Sequence, residues 1–197
     1  AVPCAQASVI DHAIAALECC MRRGLGEHGL PRFGSGDWND ALSEVGGESV
    51  WLGWFASSCA VGMARLCEHL GMSAHRYKKY GVKVAAAAES AWSGRWYLRG
   101  YFPDGEALGG GDRIDSVAQS WAILSDAHTP SPRASGALDA ALHRLVDRKN
   151  SLIKLFDPPY SGDERNAGYI SSYGEGFREN GGQYTHGAIW LAMACFR

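Results

Sequence analysis

Residues 37–40 read Asp-Trp-Asn-Asp, which places two carboxylates, an aromatic ring and an amide in one Gly-rich stretch. A protonated carboxyl can deliver a proton to the leaving oxygen of a glycosidic bond, and the face of a Trp offers a surface for a sugar ring. Asp and Asn also hydrogen-bond nearby backbone N–H groups, so the same four residues suit a structural turn that caps a helix. The motif alone leaves both interpretations open.

A second segment, residues 178–186, reads Arg-Glu-Asn-Gly-Gly-Gln-Tyr-Thr-His and leads into an apolar run. Gly181 and Gly182 would let the backbone approach a ligand closely, and the free N–H groups of a helix start favour an anion. We expect His186 in the first turn of that helix, within reach of such an anion, although a lone His also suits a core position. Glu179 would be unfavourable beside an anion, so a neutral hydroxyl is its expected partner.

Two other polar patterns are weaker signals. The polar residues within 112–121 are typical of a buried network. Tyr97, Arg99 and Tyr101 alternate with other residues, as expected either for a binding edge or for one face packed against a helix.

Composition narrows the class of protein. The 197 residues are 46% hydrophobic and 20% charged, enough for one domain, or a large part of one, with a buried core. The formal net charge of −2 provides no basic field for nucleic acid. Seven Trp and 25 Gly suit a cleft that stacks on sugars, and equally a large aromatic core. Disorder, collagen and coiled coil are excluded.

The six cysteines lack a CxxC pair, and the His and Cys residues lack zinc spacing. We therefore predict buried free thiols in a reducing compartment, no metal and a cytoplasmic location. No apolar run reaches the roughly 18 residues of a membrane span, so no membrane contact is expected for this segment. Both ends look like cuts through a longer polypeptide, whose other parts would decide any membrane association.

The positions of apolar residues predict helices over 8–23, 48–70, 73–92, 114–125 and 135–148, and a last helix from about residue 183. The helix over 48–70 is apolar nearly all round and is expected to be largely buried. Residues 96–102 suit a short extended segment. Long Gly-rich loops at 29–47 and 157–182 separate the helices and are expected to gather at one end. The prediction is an all-α protein of packed helical hairpins.

Five stretches together resemble glycoside hydrolase family 94, the inverting cellobiose and chitobiose phosphorylases. They are HGLPRFGSGDWNDA, GESVWLGWF, WYLRGYFPDGEALG, RIDSVAQSWAILS and GYISSYGEGFRENGGQYTHGAIWLAMA, and they span nearly the whole chain in the order of the family. The resemblance is strongest to the phosphorylase-like module of cyclic β-1,2-glucan synthases and to 1,2-β-oligoglucan phosphorylases. It implies an (α/α)6 barrel, incomplete in this chain, with all 197 residues forming part of one catalytic domain.

The resemblance also implies roles for single residues. Asp40 corresponds to the general acid of the family, and Trp38 to a residue that lines the subsite of the sugar being cleaved. Glu179 resembles a residue that contacts that sugar or its neighbour, and His186 resembles a phosphate ligand. Among the binding residues, Asp37 is expected to position its loop rather than transfer a proton. Gly181 and Gly182 would help His186 to hold phosphate.

The implied reaction is the reversible phosphorolysis of a β-linked gluco-oligosaccharide, with β-1,2-glucan the expected substrate and α-glucose 1-phosphate the product. Inorganic phosphate is the co-substrate and nucleophile, no cofactor is needed, and a homodimer is compatible with the family. Asp40 should be buried against Trp38 so that its carboxyl holds a proton. Ala41 follows Asp40 where relatives often have Gly, and the connection to GESVWLG is short, which changes the acceptor side of the cleft.

Two other functions fit the same residues. An inverting hydrolase would need a second carboxylate as a base for water, and Glu179 is the obvious residue. The family also draws Arg and Asp residues from upstream and a Thr-Gly pair from downstream of this region. The chain is therefore expected to be roughly half of a catalytic domain, which as an isolated piece would be an inactive carbohydrate-binding fragment of a larger glucan synthase.

Overall fold

The computed structural model describes residues 6–34, 37–109, 111–125, 131–162 and 164–197. Six α-helices lie in these ranges: α1 (Val9–Arg22), α2 (Val50–His69), α3 (His75–Ser90), α4 (Ser116–Leu124), α5 (Pro132–Leu145) and α6 (Thr185–Ala194). Regular β structure in the described residues consists of two-residue strands, and the predicted all-α class is confirmed for them. Closure of the helices into an (α/α)6 barrel stays a prediction.

Helix α1 begins with hydrogen bonds between residues that are close in sequence, which explains why its bounds could be predicted. The Ser8 hydroxyl accepts from the Asp11 backbone N–H at 3.2 Å, and the Asp11 carboxylate accepts from the Ser8 N–H at 3.1 Å. This reciprocal capping box satisfies N–H groups that the first helical turn leaves unpaired. Gly24, with φ of 75°, follows the last turn. The observed bounds therefore agree with the predicted 8–23 to within one residue.

Residues 48 and 49, predicted to be helical, form strand β1 (Glu48–Ser49) instead. This strand pairs antiparallel with β2 (Gly100–Tyr101), the extended segment expected within 96–102. A Cβ on Gly100 would overlap the Glu48 carbonyl oxygen, so glycine is needed where the two backbones meet. Helix α2 begins at Val50, directly after this strand, and the Ser49 hydroxyl caps it by accepting from the Leu52 N–H at 3.1 Å.

Helices α2 and α3 form an antiparallel hairpin at the centre of the fold. Gly53 of α2 faces Ala88, and Gly81 of α3 faces Ala60, so small side chains allow the two helices to approach closely. The expectation that no apolar run reaches the length of a membrane span is wrong for α2, whose 20 residues are long and apolar enough to cross one by length and composition alone. Of its most apolar 18-residue stretch, 56% is buried inside the protein. Its outer face exposes Phe55 and Leu66, so the predicted burial holds for one side of the helix.

Helix α5 begins three residues before its predicted start at residue 135 and ends at Leu145. Ser131 caps it by accepting from the Ala134 N–H at 3.1 Å, and Pro132 occupies the first turn, where a missing N–H costs nothing. The expected last turn is extended instead. Strand β4 (Val146–Asp147) pairs there with β5 (Leu152–Ile153), and β3 (Ile114–Asp115) pairs with β6 (Phe156–Asp157) in the same manner.

The two long loops meet, as the sequence predicted. Each contains a 3₁₀ turn, Asp40–Leu42 in the first loop and Tyr169–Ser172 in the second. The Glu44 N–H donates to the Ala167 carbonyl at 3.1 Å. Gly168, with φ of 124°, packs so tightly that a Cβ would lie 2.5 Å from the Ala41 carbonyl oxygen. Backbone contacts therefore fix the two loops against each other.

The cysteine prediction is right in part. All cysteines in the described residues are free, and Cys67 is buried. The predicted burial is wrong for Cys19, Cys59 and Cys195, which are exposed. Apolar neighbours in sequence do not decide burial when the helix face is turned outward. Cys4 lies outside the described residues.

Candidate active site

Asp37 lies in a buried ion pair with Arg99, and the side chains of both are 3% exposed. Two guanidinium nitrogens of Arg99 contact the two Asp37 carboxylate oxygens, with Nη1 to Oδ2 at 3.2 Å. The Ser49 hydroxyl donates to the same Oδ2 at 2.6 Å and accepts from Arg99 Nη1 at 3.0 Å. These contacts hold the first loop against Ser49 at the start of α2 and against Arg99 in the extended segment 96–102.

A second carboxylate shares Arg99. The Nε of Arg99 lies 3.3 Å from Oδ2 of Asp115, which is also buried. Burial lowers the pKa of Arg99, but the two carboxylates outweigh that effect, and the pKa lies above its ordinary value. Burial and the nearby Asp37 charge raise the pKa of Asp115 despite Arg99. Asp115 also caps α4 by accepting from the Val117 N–H at 2.8 Å. The buried polar network expected within 112–121 is confirmed for Asp115 and Gln119, whereas Asp112 is exposed.

Residues 37–40 form the structural turn that the sequence also suggested, with two side chains that accept from backbone N–H groups. The Asp37 carboxylate accepts from the Asn39 N–H at 3.0 Å, and the Asn39 side chain accepts from the Ala41 N–H at 3.2 Å. Asp40 starts the 3₁₀ turn and takes no part in these caps. The predicted burial of Asp40 against Trp38 is wrong for this chain, because Asp40 is exposed. Its carboxylate is the one in the motif that faces outward.

Tyr169, in the 3₁₀ turn of the second loop, is the neighbour of Asp40 that sequence reasoning missed. The nearby Asp40 carboxylate, with burial a smaller contribution, raises the pKa of Tyr169 to about 12. Tyr169 is 43% exposed and packs edge-on against Tyr173 at 6.0 Å between ring centres. Residues 168–172 lie in a stretch that resembles the family, but Tyr169 was assigned no role there, since the contact arises only when the two loops meet.

Trp38 and His186 are joined by a hydrogen bond, although 148 positions separate them. The Trp38 indole Nε1 donates to His186 Nδ1 at 2.9 Å. The Trp38 ring lies 5.3 Å from Tyr184 and 5.4 Å from Trp190, and the His186 ring lies 4.0 Å from Trp190. The residues predicted to contact sugar and phosphate are therefore neighbours. Asp40 is two residues from Trp38, which limits the distance between their α-carbons to about 7 Å.

His186 lies in the first turn of α6, as predicted, and it is exposed. Tyr184 is the N-cap residue, and no side chain caps the helix. The first N–H groups of α6 are therefore available to an acceptor, in a position that favours an anion. Gly187 makes room for this arrangement, because a Cβ there would lie 2.7 Å from Leu155 and 3.8 Å from the Trp38 ring.

Glu179 is 8% exposed, with Oε2 buried and without a hydrogen bond; Arg178 Nε lies 3.5 Å from that oxygen. The neighbouring Asn180 fixes the segment through its side chain, which accepts from the Tyr160 N–H at 2.7 Å and donates to the Tyr173 carbonyl at 2.8 Å. A carboxylate oxygen in this position has capacity to accept a hydrogen bond from a hydroxyl.

Gly181 and Gly182 are both buried. Gly181 has φ of 79° and its N–H donates to the Glu179 carbonyl at 3.0 Å. A Cβ on Gly182 would lie 2.7 Å from the Gly176 carbonyl and 2.8 Å from that of Arg178. Close packing of the loop on itself thus explains both glycines, and their contact with a ligand stays a prediction.

Comparison with known proteins identifies the family of the chain. The catalytic-domain model of the glycosyl hydrolase 94 superfamily matches residues 2–196. A cyclic beta-(1,2)-glucan synthase of Rhizobium meliloti is 38% identical over 94% of this chain and 7% of its own length. A 3-O-beta-D-glucopyranosyl-beta-D-glucuronide phosphorylase of Paenibacillus borealis is 31% identical over 95% of the chain and 25% of its own length. An N,N'-diacetylchitobiose phosphorylase of Vibrio furnissii is 26% identical over 95% of the chain.

The chain thus spans about a quarter or less of the relatives that it matches, 7% of the synthase and 24–25% of the two phosphorylases. The match of the family model nevertheless covers nearly every residue, including both site loops and the helix that carries His186. The chain belongs to the glycosyl hydrolase 94 family, as part of its catalytic domain.

Proposed function

We propose that this chain provides the general acid and one phosphate ligand for the phosphorolysis of a β-linked gluco-oligosaccharide, with β-1,2-glucan as the substrate. The observation that carries the proposal is the hydrogen bond between Trp38 and His186. It brings the loop that holds Asp40 to the uncapped start of α6. The similarity to a cyclic beta-(1,2)-glucan synthase supports the choice of linkage.

In the proposed reaction, an oxygen of inorganic phosphate attacks the anomeric carbon from the face opposite the leaving oxygen. The glycosidic C–O bond breaks, and protonated Asp40 transfers its proton to the departing oxygen. The β-linkage becomes α, giving α-glucose 1-phosphate and a shortened glucan. Because phosphate is the nucleophile, one protein carboxyl suffices. Reprotonation of Asp40 completes the cycle, and the steps run backwards in synthesis.

The surroundings of the other residues support distinct roles. Asp37 is fully engaged with Arg99 and Ser49, so it positions the loop and leaves proton transfer to Asp40. The phenol of Tyr169 can stabilise the Asp40 carboxylate once its proton has gone. Glu179 offers its buried oxygen to a sugar hydroxyl. Asp40 is exposed here, so we infer that other parts of the full-length enzyme enclose it.

The test compares Asp40→Asn with the wild type in the full-length enzyme, measuring α-glucose 1-phosphate released from β-1,2-glucan. General acid catalysis contributes about 10²- to 10⁴-fold, and at least that loss is expected. Glu44→Gln is the matched control, since Glu44 is an exposed carboxylate four residues away and should leave turnover unchanged. Near-normal phosphorolysis by Asp40→Asn would remove Asp40 from the role.

His186 has its own test. His186→Ala should raise the phosphate concentration needed for half-maximal rate with little change in glucan affinity, because it removes a donor to phosphate. An effect confined to glucan affinity would place His186 at the sugar instead.

Hydrolysis is the second candidate function, and the buried Oε2 of Glu179, which accepts no hydrogen bond, is the observation that favours it. A carboxylate in that state could activate water for an inverting attack. Incubation with glucan in the absence of phosphate distinguishes the two reactions. Release of reducing sugar without phosphate, abolished by Glu179→Gln, would identify a hydrolase.

A further inference from the structure

We infer that Trp38 fixes the position of the ring proton on His186, so that His186 presents Nε2–H to its ligand. The indole N–H is a donor only. Because it donates to Nδ1 at 2.9 Å, Nδ1 must accept and carries no proton. A neutral His186 therefore holds its proton on Nε2. Trp38 acts here as a positioning residue, in addition to any contact with sugar.

Packing holds the donor in place. The Trp38 ring is edge-on to Tyr184, with an interplanar angle of 89°, and tilted against Trp190 at 5.4 Å. Gly187 lies next to the same ring, where a Cβ would be at the ordinary contact distance of 3.8 Å. His186 is itself in ring contact with Trp190 at 4.0 Å. Within the described part of the chain, no second hydrogen bond to the His186 ring competes with that of Trp38.

The chemical consequence concerns an anionic ligand and rests on the proposed function. Phosphate oxygens accept hydrogen bonds, so a neutral imidazole helps to bind phosphate only through a ring N–H. If the proton were on Nδ1, the lone pair of Nε2 would face the anion and repel it. Because Trp38 donates to Nδ1, the ring proton of neutral His186 lies on Nε2, and Nε2–H can donate a hydrogen bond to the ligand. Trp38, which is proposed to line the sugar subsite, thereby sets the tautomer of His186, which is proposed to bind phosphate.

The direct test is the tautomer of His186 in the 197-residue chain labelled with ¹⁵N-histidine, read from long-range ¹H–¹⁵N correlation spectra. His186→Gln assigns the signals by their loss. In the wild type, Nδ1 should resonate as the unprotonated nitrogen and Nε2 as the protonated one. Trp38→Phe keeps an aromatic ring but removes the donor, so both nitrogens should move to averaged values. Trp92→Phe is the matched control, because it makes the same substitution at a tryptophan whose ring packs on Tyr97 rather than on Trp38 or His186.

A protonated Nδ1 in the wild type would overturn the inference without any variant, as would an unchanged tautomer in folded Trp38→Phe. Circular dichroism establishes that each variant is folded. In the full-length enzyme, Trp38→Phe should raise the KM for phosphate by about 3- to 10-fold, the worth of one neutral hydrogen bond, and Trp92→Phe should not. A phosphate KM unchanged by Trp38→Phe would refute the positioning role.

The two proposals fail in different ways. If the tautomer is as inferred but phosphate supports no glucan cleavage, the proposed phosphorolysis falls while the proton position on His186 stands. If phosphorolysis occurs but Nδ1 carries the proton, only the positioning role of Trp38 falls.

Discussion

Replacing Arg99 by Met should destabilise the chain strongly, because it removes the cation shared by two buried carboxylates. Arg99, Asp37 and Asp115 have side chains no more than 4% exposed. Removing one partner of a buried pair typically costs about 3–5 kcal/mol, since a charge is left without compensation. At about 1.4 kcal/mol per tenfold change, the unfolding equilibrium should shift at least a hundredfold.

The pH dependence makes this prediction specific. The pKa of Asp115 already lies above its ordinary value, and loss of Arg99 should raise it further. A carboxylate whose folded-state pKa is raised contributes stability that is present below the unfolded pKa and lost as pH rises through the folded pKa. Arg99→Met should therefore recover part of its lost stability as the pH is lowered from 7 to 5. Asp115→Asn in the same chain should reduce that recovery.

Urea unfolding at pH 7 and pH 5, followed by tryptophan fluorescence, provides the measurement. Arg95→Met is the control: this arginine also pairs with an aspartate, Asp112, but on the surface, where such a pair is worth less than about 1 kcal/mol. Equal losses for the Arg99 and Arg95 variants would refute the reasoning. So would a loss in Arg99→Met that does not depend on pH.

Two further predictions concern other parts of the chain. Burial acts to raise the pKa of Asp157, but hydrogen bonds from Lys154 and Arg144 outweigh burial, and the pKa lies below its ordinary value. Asp157 therefore contributes stability to the folded state that is lost as the pH falls from about 4 through this lowered pKa. Asp157→Asn should flatten the acid limb of unfolding curves measured against pH, and an unchanged limb would contradict this. Gly168→Ala should cost about 1–3 kcal/mol in urea unfolding, because its φ is 124° and a Cβ would overlap the first loop. Gly136→Ala, in an open helical position, should instead be neutral or stabilising, and similar effects of the two substitutions would argue against the loop contact.

The helices were the part of the fold that local sequence predicted best. Capping by Ser8 and the glycine after α1 act within a few residues, so the sequence contains the whole cause. The start of α2 was placed too early because Glu48 and Ser49 pair with residues about fifty positions away. Helix α5 starts three residues before the predicted residue 135, because Pro132 suits a first helical turn and Ser131 caps it.

The sequence named candidate site residues, and the structure shows which of them are neighbours. Asp37, Trp38, Asp40 and His186 were all identified from sequence, and Trp38 and His186 do meet. Sequence could not show that Arg99 holds Asp37, because an alternating pattern suits a binding edge as well as a packed face. Tyr169 was missed altogether, since a single tyrosine beside a carboxylate has no sequence signature.

The amino-acid sequence by itself determined the helical class, the two Gly-rich loops and the family, because capping, spacing and motifs act locally or persist as residue identity. Only the tertiary structure decided which aspartate is buried and which faces outward. Asp37 and Asp40 are chemically identical and three residues apart, and they differ because one meets the Arg99 guanidinium in the interior while the other starts an exposed turn. That difference depends on which distant groups the fold brings to each carboxylate.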